Sequence, residues 1–136
     1  MNRVAMITGA SRGLGKTLAA FLAAQGYDLI LDARGQEALE TTAAELRAFG
    51  GHVSAIAGDV SDPAHRRALV AAAEGLGRLD LLVNNASILG PSPLPALAGY
   101  PLEALEQVLA VNTLAPLALI QDALGLLARS SGLVVN

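Results

Sequence analysis

Short apolar runs alternate along this chain with segments of helical periodicity, and turn residues separate the two. Residues 3–8 (RVAMIT) run apolar into Gly9, after which Leu14, Leu18, Phe21 and Leu22 recur at helical spacing until Gly26. Residues 28–33 (DLILDA) repeat the pattern, followed by Leu39, Ala43 and Leu46 and a stop at Gly50-Gly51. Residues 52–57 (HVSAIA) begin a third unit, in which Asp62-Pro63 marks a helix start and Leu69, Val70, Ala73 and Leu76 share one side. A fourth strand is expected at 79–84 (LDLLVN) and a fifth at 132–136 (GLVVN). Between them lie a Pro-rich loop, 90–101, and a long helical region, 102–128. Strands joined through helices cross over right-handedly and lie parallel. Runs such as LILDA and LDLLV lack strict alternation, as strands do when both faces are covered. The expected class is therefore α/β, with a doubly wound parallel sheet.

At 136 residues the chain has the length of one domain, and at 53% hydrophobic residues it is too apolar to be disordered. A net charge of −3 provides no basic field for a nucleic-acid backbone. The absence of Cys excludes a catalytic thiol and thiolate metal sites, and two separated histidines, His52 and His65, form no metal cluster. Residues 81–102 carry no charge, yet Asn84, Asn85 and four prolines argue against a membrane span. With no signal segment visible, the expected location is the cytoplasm. Pro116 falls inside the long helical region, where it removes a backbone hydrogen bond and predicts a kink or break.

The strongest chemical signal is Thr8-Gly9-Ala10-Ser11-Arg12-Gly13-Leu14-Gly15, set between a strand and a helix. Glycines there allow a tight turn and close approach of backbone to a pyrophosphate, and the helix N-terminus presents amide donors. The spacing G-x-x-x-G-x-G is not that of a P-loop, because Lys16-Thr17 follows the last glycine at the wrong distance. Taken alone, the segment has a lesser second reading as a tight strand-to-helix turn.

Three further motifs occur in order: Gly58-Asp59-Val60 after the third strand, Asn84-Asn85-Ala86-Ser87 after the fourth, and Val111-Asn112-Thr113 on the long helix. In this combination the chain resembles the short-chain dehydrogenase/reductases, in their compact TGxxxGxG type, over its whole length. The resemblance implies a Rossmann-type sheet in the order 3-2-1-4-5 with a cofactor crevice at the carboxyl ends of the first and fourth strands. It also implies roles. Gly9, Gly13, Leu14 and Gly15 would shape the pyrophosphate loop, and Ser11 and Arg12 would lie near the adenosine ribose or its phosphate. Asp59 and Val60 would meet the adenine; Asn84 and Ala86 would flank the ribose and nicotinamide side. Asn85 would hold the fourth strand to its neighbours. Asn112, the one member of the family's catalytic set present, would lie at a helix irregularity and help hold a water of a proton relay. Ser87 replaces the usual Gly of the NNAG motif. No metal is implied.

The cofactor is read from the end of the second strand, Leu31-Asp32-Ala33-Arg34. An acid there holds two ribose hydroxyls, whereas an Arg accommodates a 2′-phosphate. The family's NAD-selecting acid falls at Ala33, and Arg34 with Arg12 supplies two guanidinium groups for one phosphate. NADP is therefore expected. A register slip of one residue would make Asp32 the ribose ligand and favour NAD, and both Asp32 and Arg34 are also readable as surface charges.

The family's catalytic Ser and Tyr-x-x-x-Lys follow the fifth strand. Tyr100 precedes the Asn112 helix without a Lys at the right spacing, Tyr27 begins the second strand, and Ser130 and Ser131 precede the fifth. Residues 1–136 are accordingly expected to be an incomplete dinucleotide-binding domain, truncated before the last strands and inactive alone. The whole protein is expected to be an NADP(H)-preferring oxidoreductase interconverting a small-molecule carbonyl and alcohol, without nucleic-acid or membrane partners, and homo-oligomeric. An apolar helix face of Leu105, Leu109, Leu117, Ile120, Leu124 and Leu127 would need partners. The alternative, should these residues be the entire protein, is a non-catalytic dinucleotide-binding or interaction module. A methyltransferase fits less well, because TGxxxGxG and NNAS argue against it.

Overall fold

The computed structural model describes residues 1–136. In chain order the elements are β1 (Val4–Ile7), α1 (Gly13–Ala24), β2 (Asp28–Ala33), α2 (Gln36–Arg47), β3 (Val53–Ala57), α3 (Pro63–Leu76), β4 (Leu81–Val83), α4 (Leu102–Leu109), α5 (Ala115–Ser130) and β5 (Leu133–Val135). A short 3₁₀ turn, Leu97–Gly99, precedes α4, and a π-turn, Ala110–Leu114, joins α4 to α5. The five strands form one sheet in the order β3-β2-β1-β4-β5, parallel throughout, as the motifs imply.

All four residues of β1 are buried, because helices cover both sheet faces. Ala5 and Ile7 point into one core with Leu29 and Leu31 of β2, roofed by Leu22 of α1 and Leu39 and Leu46 of α2. Val4 and Met6 point into the other with Ile30 and Leu82, roofed by Leu69 of α3 and Leu119 and Leu126 of α5. Each such buried Val, Leu, Ile or Met side chain contributes about 1.5–3 kcal/mol relative to exposure. The start of β4 is pinned to β1 by Asp80, which accepts from the Val4 amide at 2.8 Å and from Arg78 Nε at 2.8 Å.

Two expectations about helix faces change. In α1 the buried side consists of Gly15, Ala19, Leu22 and Ala23, while Leu14 and Phe21 are exposed. Small residues face the sheet there because α1 lies close over the glycine turn. In the long helix, Leu127 is in the core and Ile120 packs against it, whereas Leu105, Leu109, Leu117 and Leu124 remain exposed. The irregularity predicted at Pro116 takes the form of the π-turn just before it, and the helical stretch Leu102–Ser130 continues through. A proline ring in regular helix collides with the carbonyl four residues back, here Asn112; the wider π-turn relieves that collision. By length and composition Leu102–Ser130, at 29 residues, could cross a membrane, but α5 lays Ala115, Leu119, Ala123, Leu126 and Leu127 inward, against the body of the molecule.

Candidate functional site

The site is built where β1 ends. Gly9 and Gly13 have φ of 65° and 60°, a left-handed conformation that favours glycine. The turn is fixed to β2, because the Gly9 amide donates to Asp32 Oδ1 and the Ala10 amide to the Asp32 carbonyl, both at 2.8 Å. Thr42 of α2 adds a hydroxyl bond to the Ser11 carbonyl at 3.2 Å. A Cβ on Gly15 would overlap the Gly9 carbonyl and the Asn85 side-chain Nδ2, so Gly15 is the residue that lets helix, turn and β4 loop meet. The first turn of α1 has no side-chain cap and no acidic residue. Its amides and the positive end of the helix dipole are therefore free for an anion.

The opposite wall follows β4. The Thr8 hydroxyl accepts the amides of Asn85 and Ala86, each at 3.0 Å. The Asn85 side chain donates to the Thr8 and Gly9 carbonyls at 3.1 and 3.0 Å. It ties the β4 loop to the end of β1, the holding role implied for it. Asn84 instead donates to Asn136 Oδ1 at 2.8 Å. Asn112 stands at the middle of the π-turn, where Pro116 offers its carbonyl no N–H, and its side chain engages Ile88.

Between these walls opens a cleft of about 310 Å³. Of the residues singled out from the sequence, Gly9, Ser11, Arg12, Gly13, Arg34, Asp59, Val60 and Ala86 line it. Leu14 is 75% exposed and outside the lining, Gly15 lies buried beneath it, and Asn84 and Asn112 stand apart from it. Ala33, Gly58, Asn85, Ser87, Ile88 and Val111 complete the wall together with Asp32. Gly58, Asn85, Ser87 and Val111 belong to the motif segments, so their placement was readable from the strand ends.

Charge in the cleft is mixed. The ion pairs of the molecule engage Lys16, Arg47, His65, Arg66 and Arg78, leaving the exposed guanidinium groups of Arg12 and Arg34 uncommitted. Asp32 is no surface charge: it is 2% exposed, with Oδ1 on the Gly9 amide and Oδ2 2.7 Å from His65 Nε2. The Ser61 amide, bonded to Asp59 at 2.8 Å, holds the Asp59 carboxyl below its ordinary value. Partial burial opposes the shift, and the Ser61 hydroxyl, Arg34 and His65 add to it. Only Oδ1 of Asp59 takes the Ser61 bonds, so Oδ2 is available to an amino group.

Sequence reasoning gave no site role to Thr8 or His65. Thr8 was signalled only by its place before Gly9. His65 sits on α3, 33 residues from Asp32, and nothing local announces their meeting.

A dinucleotide fits these residues. Helix-end amides at the start of α1 have no side-chain cap, Gly9 and Gly15 have no room for a Cβ, and the guanidinium-bearing Arg12 and Arg34 both line the cleft. A family model described as short chain dehydrogenase matches residues 3–136. The rhamnolipids biosynthesis 3-oxoacyl-(acyl-carrier-protein) reductase of Pseudomonas aeruginosa is 41% identical over 130 residues, covering 95% of this chain and 49% of the relative. An alcohol dehydrogenase from Thermococcus sibiricus, solved with 5-hydroxy-NADP, superposes with a TM-score of 0.89 at 34% identity, over 98% of this chain and 57% of that one. An NAD⁺-bound xylitol dehydrogenase gives a TM-score of 0.89 at 26% identity, over 98% and 52%. The chain spans about half the length of the curated relatives it matches.

Proposed function

The chain belongs to the short-chain dehydrogenase/reductase family, and on that premise we propose that it forms the cofactor-holding part of an NADP(H)-preferring oxidoreductase that interconverts a carbonyl and an alcohol. The observation that carries the preference is the pairing of two uncommitted guanidinium groups, Arg12 and Arg34, with an Asp32 whose carboxylate oxygens are already engaged. Two forks suit a 2′-phosphate, and the acid that would select an unphosphorylated ribose is turned away. When bound, the nicotinamide supplies a hydride to the carbonyl carbon.

This chain's residues bind and orient. The Gly9–Gly15 turn and the α1 amides hold the pyrophosphate, Arg12 and Arg34 the ribose phosphate, and Asp59 and Val60 the adenine. Asn112, through its carbonyl at the π-turn, holds a water on the proton path. The resemblance implies a general-acid Tyr, its Lys and a polarising Ser after the fifth strand, and the relatives' greater length, of which this chain covers 49% in one case, supports that reading. The substrate is a small carbonyl compound or alcohol, and the full-length protein is a cytoplasmic homo-oligomer.

The test is a parallel titration of NADPH and NADH, followed by nicotinamide fluorescence. Tighter binding of NADPH bears the reading out; equal or tighter binding of NADH overturns the preference. A full-length protein that binds either dinucleotide yet reduces no carbonyl would favour the non-catalytic alternative.

A further inference from the structure

Asp32 and His65 form a buried pair that dinucleotide binding of itself does not demand. Asp32 is the penultimate residue of β2 and His65 lies on the first turn of α3, with exposures of 2% and 7%. His65 Nε2 is 2.7 Å from Asp32 Oδ2, and Asp32 Oδ1 takes the Gly9 amide at 2.8 Å. The ring is also fixed from the side, because it packs so closely on Gly58 that a Cβ there would overlap it. One imidazole thus braces the glycine turn, the end of β2 and the loop leading to Asp59.

Asp32 nevertheless forms part of the cleft wall, beside Ala33 and Arg34. A carboxylate at this end of the cleft could accept from ribose hydroxyls and would repel a phosphate. What prevents this is that both its oxygens already have partners. We propose that His65 is a positioning residue that sets cofactor specificity, by holding the Asp32 carboxylate on the glycine turn and out of the ribose site. An acidic residue at the end of β2 is thereby made compatible with NADP(H). The inference rests on the cofactor reading above. Without His65, Oδ2 is left buried and unpartnered, which is unfavourable, and the cleft is the direction in which it finds donors.

The experiment measures the dissociation constants of NADPH and NADH for the natural-length protein and three variants. His65→Ala raises the ratio of the NADPH constant to the NADH constant by about tenfold, the scale of one charged group gained against another lost. His65→Gln, which keeps a donor, stays within about threefold of the parent ratio. The double variant His65→Ala with Asp32→Asn returns toward the parent ratio, since no charge remains to be misplaced. Equal weakening of both cofactors by His65→Ala, or a ratio that stays shifted in the double variant, overturns the proposal. Should His65→Ala not fold, a structure of the parent protein with NADPH decides. Asp32 still on His65 supports the pair; a carboxylate oxygen on the ribose overturns it. A parent protein that prefers NADH defeats the cofactor reading alone, because the change in ratio on substitution still reports on His65.

Discussion

The Asn112 side chain is bonded in both directions to the backbone of one residue, Ile88: Oδ1 accepts the Ile88 amide and Nδ2 donates to the Ile88 carbonyl, each at 2.9 Å. A side-chain amide here does what a neighbouring strand would do, fastening the segment after β4 to the π-turn. Asn112→Asp keeps the acceptor and loses the donor, and Asn112→Ala loses both. Expected losses of unfolding free energy are about 1 kcal/mol for Ala and less for Asp, because each exposed hydrogen bond contributes roughly 0.5–1.5 kcal/mol. Urea unfolding checks the order; equal midpoints for all three proteins would deny the bonds a role.

Arg34→Ala should weaken NADPH binding by about 1.5–3 kcal/mol, the worth of a charge-assisted hydrogen bond, and leave NADH nearly unaffected. Calorimetric titration separates the two. Loss of equal size for both cofactors would place Arg34 away from the 2′-phosphate.

Gly15→Ala puts a methyl group where the Gly9 carbonyl and Asn85 amide already stand. The Gly9 carbonyl is backbone and cannot yield as a side chain can, and the Asn85 side-chain amide is held by the Thr8 and Gly9 carbonyls, so the expected cost is about 1–3 kcal/mol of stability together with loss of dinucleotide binding. Gly75→Ala, with open space around its Cβ position on α3, is the matched control and should be neutral or stabilising. A thermal melt that ranks Gly15→Ala with the control would show that the turn tolerates the methyl group.

Acidification should weaken the fold through Asp80 and Asp59. Burial pushes the Asp80 carboxyl up, but the Arg78 fork, the Val4 amide and nearby Arg3 prevail and hold it below its ordinary 3.8. Asp59 is lowered as well. A carboxyl lowered in the folded state stabilises it fully above the ordinary value, and that contribution is lost as pH falls below 3.8 toward the folded-state value. Urea midpoints should thus start to drop near pH 5, roughly one unit above the ordinary carboxylate value, and go on dropping as pH falls through 3.8 toward the folded-state value. Asp80→Asn should flatten part of that drop; an unchanged slope would remove Asp80 from the account.

The sheet order, all five strands and most of the cleft lining were legible in the sequence because glycine turns and strand-end motifs are local signals. What the sequence concealed was long-range or graded. Leu14 and Phe21 fit a helical stripe but face outward, since close approach over the glycine turn requires the Gly15 and Ala19 side. Asp32 reads as a strand-end charge until His65 arrives from α3 to bury it. Pro116 announced an irregularity but not its form, because whether a helix kinks or widens depends on what packs around it.

The π-turn at Ala110–Leu114 also works as a phase shifter. One extra residue in a helix advances every later side chain by about 100°. α4, before the shift, has no buried residue, while α5, after it, buries five. Deleting Thr113 would return the stretch to uniform winding and turn the two halves against each other by that angle. Either Leu119 and Leu126 would leave the sheet, or Asn112 would lose Ile88. A single residue of excess winding thus lets one continuous rod serve two neighbours facing different ways.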